Sequence, residues 1–156
     1  MTLLFATGNM DKLKQVELMI DKLKSPKDFN LEDIEVIEDG KTLKENAYKK
    51  AKTFFELTKV ATISDDTGLF VEALDNRPGI YSHRYAGEDA AYKDNRDKLL
   101  LELDGKENRN AYFKTIICYI DEKGKDYYFE GKLEGMITKK EIGQYEFGYD
   151  QIFLPN

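Results

Sequence analysis

The 156-residue sequence is poor in cysteine, histidine and tryptophan, with one Cys, one His and no Trp. A lone cysteine forms no intramolecular disulfide, and with a lone histidine it cannot supply the ligands of a structural zinc site. Cys118 lies in the apolar run TIICYI, where a free thiol usually behaves as a small buried hydrophobe. We therefore expect a protein of a reducing compartment that keeps this thiol in its core.

The sequence also lacks a basic leader, a membrane-length apolar run and an excess of positive charge. The apolar part of MTLLFATGN is too short for a signal peptide, and no run is long enough to span a membrane. Lys and Arg number 24 against 30 Asp and Glu, so the net charge of -6 repels nucleic acid. These absences predict a cytoplasmic protein that binds neither nucleic acid nor membrane and meets any polyanion with a local cluster of cations.

Apolar periodicity predicts a single mixed α/β domain over residues 1–156, without a linker. Strands are expected at residues 2–7, 31–37 and 60–63, with a continuation at 69–74 beyond an Asp-Thr-Gly turn. Helices are expected over residues 13–23, 42–59 and 88–103. The period then changes to two over residues 108–137, and DEKGK in the middle predicts a hairpin.

The stretch ATGNMDK places a turn between the first strand and the first helix. Free backbone N–H groups and the positive end of the helix dipole at such a turn suit an anion, and Lys12 adds a full charge. The alternative is an ordinary helix start, in which Thr7 or Asn9 caps the helix and Lys12 is solvated. The segment does not match the GxxxxGK[ST] pattern of P-loop proteins.

Three carboxylates are candidates for metal chemistry. Glu45 lies three residues after Thr42 and fits a capping box, where it would only accept a backbone N–H. Asp65 and Asp66 are neighbours in an extended run, so their side chains are expected to point opposite ways. A hard cation such as Mg²⁺ relieves the repulsion of close carboxylates, whereas an Asx turn explains the pair without any metal.

Two further segments carry polar or aromatic groups. Phe147 and Tyr149 flank a glycine and precede Asp150, a set that can stack on a flat heterocycle and accept from its ring N–H, or form a closing strand. Ser82 and His83 are adjacent in sequence, but a Ser-His-Asp triad is defined by geometry, so a simple loop histidine is favoured.

Seven segments together resemble the inosine triphosphate pyrophosphatase family, in this order: FATGNMDK, TLKENAYKKA, SDDTGLFVEAL, RPGIYSHRYAG, NRDKLLLEL, RNAYFKT and FGYDQIFLP. The resemblance runs from residue 2 to 154. It implies an elongated two-lobed Maf/ITPase-like α/β fold, with a mixed central sheet, an active-site cleft between the lobes and, usually, a homodimer. The implied reaction is Mg²⁺-dependent attack of water near the α-phosphorus of ITP, dITP or XTP, which releases pyrophosphate and a nucleoside monophosphate.

The resemblance also assigns roles to residues of this sequence. The implied Mg²⁺-binding acids are Glu45 and Asp66, with Asp66 also the general base and Asp65 beside it. The implied triphosphate- and purine-binding set is Thr7, Gly8, Asn9, Lys12, Lys50, Thr67, Phe147, Gly148, Tyr149 and Asp150. A base that binds metal cannot be freely protonated, so activity is expected to fall at acid pH and to need Mg²⁺.

The sequence departs from the family pattern at its end. Family members continue past FLP through a Ser-His-Arg segment that contacts the phosphates and the purine, whereas this sequence stops at Asn156. Ser82, His83 and Arg84 spell the same letters in a different segment, so the role is not transferred. The sequence is therefore either a fragment or a natural short form, for which the expected alternatives are relaxed specificity or nucleotide binding without activity. A Maf-like nucleotide pyrophosphatase, with the same fold and another substrate, is a further alternative.

Overall fold

The computed structural model describes residues 2–156 and shows a mixed α/β fold. The helices are α1 Met10–Glu17, α2 Leu43–Thr58 and α3 Tyr92–Glu102. The strands are β1 Leu3–Phe5, β2 Leu23–Lys24, β3 Thr62–Val71, β4 Arg77–Gly79, β5 Asn110–Ile120, β6 Asp126–Ile137 and β7 Phe153–Pro155. They form a seven-stranded sheet of order β2-β1-β3-β5-β6-β7, with β4 paired to β3. Because β1 runs parallel to β2 and β3 while β4 and β7 pair antiparallel, the sheet is mixed, as predicted.

The chain divides into two compact units, and the first comprises the residues up to Asp66 together with Ile116–Glu130. Its core lies where the apolar face of α2 packs against β5, and its members are Ala47, Ala51, Phe55, Cys118 and Ile120. Cys118 is fully buried, which confirms the prediction, and burial raises the pKa of its thiol to about 11. A second cluster joins α2 to β1 through Phe54, Leu4 and Ala6.

The second unit comprises Thr67–Thr115 and Gly131–Asn156. Its core joins the end of β3 to α3, the start of β5 and the chain after β6. The fully or nearly fully buried members are Leu69, Val71, Leu74, Leu99, Leu103, Ala111, Ile137, Tyr149 and Ile152. The segment that contains Phe147 and Tyr149 is therefore built onto this core rather than onto that of the first unit.

Two helices are shorter than the apolar periodicity predicts. Helix α1 ends at Glu17, and the prediction of helix through Leu23 is wrong because Leu23 pairs with Leu3 in β2. Helix α3 begins at Tyr92 rather than at residue 88. At this start, a carboxylate oxygen of Asp94 accepts the N–H of Ala91 at 2.9 Å. Within residues 2–156, no helix is long and apolar enough to cross a membrane.

The strand predicted at residues 31–37 is wrong, because this stretch has no regular structure. The position beside β1 is taken by β2, which ends the sheet. Leu31 and Val36 instead pack against the Leu4 cluster, while Ile37 is 73% exposed. Leu31 and Val36 are thus partly buried by packing, without sheet hydrogen bonds.

Strand β3 continues through the residues where a turn was predicted. Asp65, Asp66 and Gly68 all lie inside it, so the turn is wrong. A Cβ atom at Gly68 would lie 2.7 Å from the carbonyl oxygen of Gly79 in β4. Glycine is needed here because two paired strands approach closely. From the sequence alone, a glycine in such a strand looks the same as a glycine in a turn.

The predicted hairpin is confirmed by β5 and β6. The N–H of Asp121 donates to the carbonyl of Lys125 at 2.9 Å, and Gly124 has φ +88° in the turn. The closing segment forms the short strand β7, which pairs with the end of β6 through Ile137 and Phe153.

Candidate active site

The turn after β1 is organised by Asn9, the N-cap of α1. Its side-chain oxygen accepts the N–H groups of Asp11 at 2.9 Å and Lys12 at 3.2 Å. The N–H of Asn9 in turn donates to the hydroxyl of Thr7 at 3.0 Å. Capping by Asn9 is therefore confirmed, whereas the solvated Lys12 of that interpretation is wrong, because its side chain is 24% exposed and pairs with Asp65. Phosphate binding by Thr7, Gly8 and Asn9 stays a prediction.

Lys12 extends from the first turn of α1 to the carboxylate of Asp65 on β3. The Nζ–Oδ2 distance is 3.0 Å, and the side chains are only 24% and 16% exposed. Burial lowers the pKa of Lys12, but the charge and hydrogen bond of Asp65, together with the charges of Asp66 and Glu38, outweigh it, so that the pKa is raised overall. Lys12 therefore keeps its positive charge beside Asp65 of β3.

Lys50 brings a second ammonium from α2 to the same strand. Its Nζ donates to the backbone carbonyl of Asp65 and forms an ion pair with Glu38 at 2.9 Å. The Lys50 side chain is only 14% exposed. A buried cation held by a carbonyl and a carboxylate keeps a fixed position, because moving it would leave a charge unpaired.

Asp66 is the most buried acid of this network, with 9% exposure. Burial raises its pKa to about 6, while the charges of Lys50 and Lys12 and a hydrogen bond from Asn46 oppose that rise. The burial of Asp65 and Asp66 alternates, as predicted for neighbours in a strand. With a pKa of about 6, Asp66 can take up a proton near neutral pH, as a general base must, and its charged neighbours are two lysines and the acids paired with them.

The donor set at Asp66 fits a divalent cation. Its Oδ2 is buried and makes no hydrogen bond within residues 2–156. Mg²⁺ is commonly held by one or two carboxylates plus substrate phosphates and water. In the part of the chain that the structure describes, no group of three or more His, Cys, Asp and Glu side chains could hold a metal. A Mg²⁺ ion at Asp66 would therefore rely on ligands that the substrate or water supplies.

Glu45 lies at the start of α2 and is exposed. The hydroxyl of Thr42 accepts the N–H of Glu45 at 3.1 Å, and the Glu45 Oε2 accepts the N–H of Lys41 at 2.6 Å. The predicted capping is confirmed, with Lys41 rather than Thr42 as the backbone donor. Metal binding by Glu45 stays a prediction.

Two residues of the network were missed by sequence reasoning. Glu38 pairs with Lys50 from a stretch without regular structure, where neither period nor spacing marks it. Asn46 is 2% exposed and joins Asp66 to Gly40, whose N–H donates to the Asn46 oxygen at 2.8 Å. A polar residue on the buried face of α2, next to Ala47, was the available signal for Asn46.

In the second unit, two aromatic rings lie beside Phe147. The ring of Phe147 lies 5.8 Å from that of Tyr92 at the start of α3 and 6.2 Å from that of Tyr145. Tyr145 is 59% exposed and Phe147 is half-buried. Gly148 follows with φ +53°, a left-handed conformation that favours glycine. These side chains form an accessible aromatic surface of the kind on which a flat ring can stack.

Tyr149, Asp150 and Thr67 complete the predicted set. Tyr149 is buried, and its hydroxyl donates to the carbonyl of Ser82 at 2.6 Å, so this ring anchors the segment to the core. Burial raises the pKa of Tyr149. Asp150 is exposed, and the Thr67 hydroxyl lies 2.7 Å from that of Thr115. Substrate contact by these residues stays a prediction.

Ser82 has a structural role. Its hydroxyl donates to the carbonyl of Gly79 at 2.6 Å and accepts the N–H of Leu69 at 2.8 Å. The carbonyl of the exposed His83 accepts the side-chain amide of Asn95 at 3.0 Å. These contacts support the interpretation of His83 as a loop residue.

Comparison with known proteins gives three consistent similarities. The model of the Ham1 family matches residues 3–156. A dITP/XTP pyrophosphatase of Flavobacterium psychrophilum is 43% identical over 159 residues, which cover 99% of this chain and 82% of that protein. A dITP/XTP pyrophosphatase of Thermoanaerobacter pseudethanolicus is 44% identical, with 98% of this chain and 79% of that protein covered.

The fold is likewise similar to a solved structure, that of a HAM1 protein from Coxiella burnetii. The TM-score is 0.86 at 30% sequence identity, and the match covers 98% of this chain and 81% of that one. The resemblance found in the seven sequence segments is thereby confirmed.

Proposed function

Because the chain belongs to the Ham1 family, we propose that it hydrolyses non-standard purine nucleoside triphosphates to the nucleoside monophosphate and pyrophosphate. The substrates are ITP, dITP and XTP, the class that the names of its relatives indicate. The observation that carries the proposal is the buried Asp66 next to Asp65, which holds the ammonium groups of Lys12 and Lys50, because hydrolysis of a polyphosphate needs fixed cations near a proton acceptor. The biological consequence would be removal of such nucleotides from the cytoplasmic pool.

Lys12 and Lys50 neutralise the polyphosphate. Their ammonium groups are paired with Asp65 and Glu38. A phosphate chain with several negative charges competes for these cations, and the rigid positions of the lysines mean that little reorganisation is needed. Thr7, Gly8 and Asn9, at the start of α1, contribute the positive end of the helix to the same phosphates.

Asp66 activates the attacking water. Its Oδ2, which makes no hydrogen bond within the described chain, accepts the proton as the water oxygen bonds to the α-phosphorus. The anhydride bond between the α- and β-phosphates breaks, and pyrophosphate leaves with the electron pair. Asp66 and Glu45 would hold Mg²⁺, with Asp65 beside them. When bound, the ion would neutralise charge on the phosphate oxygens.

Recognition of the purine is assigned to Phe147, Gly148, Tyr149 and Asp150, with Thr67 as a further substrate contact. The aromatic surface around Phe147 supports stacking on the base, and Tyr149 anchors the segment through its hydrogen bond to the Ser82 carbonyl. A homodimer is part of the proposal on the strength of the resemblance, and light scattering of the purified protein measures it.

The deciding experiment is pyrophosphate release from ITP, dITP, XTP, ATP, GTP and UTP, with Mg²⁺ and with EDTA. We expect release from the first three nucleotides, little from the others, and none in EDTA. Equal rates with ITP and ATP would favour the relaxed-specificity alternative. Release that survives EDTA would contradict the Mg²⁺-dependent mechanism, and nucleotide binding without release would indicate a protein that only binds.

A further inference from the structure

The aromatic segment, residues 141–149, has almost no regular backbone hydrogen bonding of its own. No helix or strand lies within it. Its backbone bonds include Ile142 N–H to the carbonyl of Gln151 at 2.7 Å and Phe147 N–H to that of Tyr145 at 3.1 Å. A segment with so few internal bonds keeps one conformation only if side chains from the adjoining elements hold it.

Arg96 of α3 supplies the largest set of such bonds. Its side chain is 0% exposed and donates to the aromatic segment from all three guanidinium nitrogens. Nε donates to Glu141 at 3.1 Å, Nη1 to the carbonyl of Gly148 at 3.0 Å, and Nη2 to Glu146 at 3.3 Å. One buried guanidinium therefore contacts both ends of the segment.

The chemistry of a buried guanidinium makes this arrangement rigid. Removal of the charge from water is costly unless acceptors with good geometry surround it, and loss of one acceptor leaves the charge unpaired. The carbonyl of Gly148 faces Arg96 in the left-handed conformation at φ +53°, which glycine adopts without strain. The position of Gly148, and with it the direction of the neighbouring Phe147 ring, is thus coupled to the charge of Arg96.

Helix α3 contacts the segment a second time, one turn earlier. Tyr92 and Arg96 are four residues apart and lie on the same face of the helix. Tyr92 meets the ring of Phe147, while Arg96 binds the backbone beside that ring. The same helix therefore fixes both the plane and the position of Phe147.

We propose that Arg96 is a positioning residue for base recognition: it orders residues 141–149 so that Phe147 is held ready to stack on the purine. The inference rests on the proposed function in one respect, that Phe147 contacts the base. Arg96 itself is too buried to touch a substrate. Its replacement should therefore weaken nucleotide binding without slowing the bond-breaking step.

The chain offers a matched control in Arg109, a second buried arginine of the same unit. Arg109 is 8% exposed and donates to the carbonyls of Leu103, Ile137 and Thr138, and not to residues 141–149. Arg96→Lys and Arg109→Lys each keep a positive charge and lose the fork geometry of a buried guanidinium. A general loss of core stability should appear in both variants, whereas loss of segment order should appear only in Arg96→Lys.

The test combines amide hydrogen exchange of the ligand-free protein with kinetics on ITP. For Arg96→Lys we expect faster exchange over residues 141–149, a KM for ITP about tenfold higher, and a kcat within about threefold of the parent. Arg109→Lys should lower the thermal midpoint and leave that KM unchanged. If Arg96→Lys does not fold, Glu146→Gln removes the negative charge of one acceptor at the surface and should raise the KM two- to threefold, a change of about 0.5 kcal/mol.

Unchanged exchange and KM in Arg96→Lys, or an equal KM change in both arginine variants, would overturn the inference. If Arg96→Lys fails to fold, an unchanged KM in Glu146→Gln would overturn it too. If the parent releases no pyrophosphate, the proposed function fails, and the dissociation constant of ITP measured by calorimetry replaces KM in the same comparison. An Arg96→Lys variant that binds ITP as tightly as the parent would then overturn the inference, as would a parent that binds no ITP.

Discussion

The charged network of the first unit and the aromatic segment of the second are held in place by different means. Asp66, Lys12 and Lys50 lie on β3, α1 and α2, whose backbones are fixed by their own hydrogen bonds. Residues 141–149 lie outside any helix or strand and make few backbone hydrogen bonds, and the buried Arg96 anchors them to α3.

This difference matches what each region is proposed to do. Stabilising charge in a transition state requires dipoles and cations that are already in position, and side chains on regular elements are placed most accurately. Recognising a base by stacking tolerates more variation, so a loop with a few strong anchors suffices. The comparison therefore predicts that changes in the first region reduce kcat and that changes in the second mainly raise KM.

The largest effect is expected from Asp66→Asn. Loss of the proton acceptor should lower kcat for ITP by about a thousandfold. Burial disfavours the charge of Asp66, so the neutral amide should leave the thermal midpoint unchanged or higher. Steady-state kinetics and thermal unfolding of the purified variant measure both quantities.

The control for Asp66→Asn is Asp39→Asn, which removes an acid that is 67% exposed and pairs with Lys49. It should leave kcat within about twofold of the parent, because exposed ion pairs contribute little. If the kcat of Asp66→Asn also stays within about twofold of the parent, Asp66 is not the general base. The proposed difference between the two regions would then be wrong.

Lys50→Met should have the next largest effect. Removing a fixed ammonium from the phosphate site should lower kcat/KM for ITP by about a hundredfold. Neighbouring Lys49 points to the exposed Asp39 instead, so Lys49→Met changes the same residue type on the same helix turn. Equal losses in the two variants would show that the effect is one of net charge rather than of position.

The local part of this architecture could be predicted from the sequence. Capping by Asn9 and by Thr42 with Glu45, the hairpin, and the burial of Cys118 all depend on residues a few positions apart or on hydrophobicity alone. The family resemblance added candidate site residues, but not the contacts between them.

What the sequence did not reveal depends on contacts between distant residues. Glu38 gives no local signal that it pairs with Lys50. Gly68 was assigned to a turn because glycine serves both turns and close strand contacts. Arg96 lies in a helix where arginine is usually exposed, and only the folded segment after β6 turns it into a buried anchor.

The smallest of these effects is expected from Phe147→Ala, which tests the second region directly. Loss of one stacking ring should raise the KM for ITP by about tenfold while kcat changes little, since stacking is made equally in the bound ground state and the transition state. Phe129, an aromatic residue that is 59% exposed in the first unit and has no proposed role, provides the control variant Phe129→Ala. A fall in kcat for Phe147→Ala as large as the fall in kcat/KM for Lys50→Met would show that the aromatic segment also orients the phosphates. The division of binding and chemistry between the two regions would then be wrong.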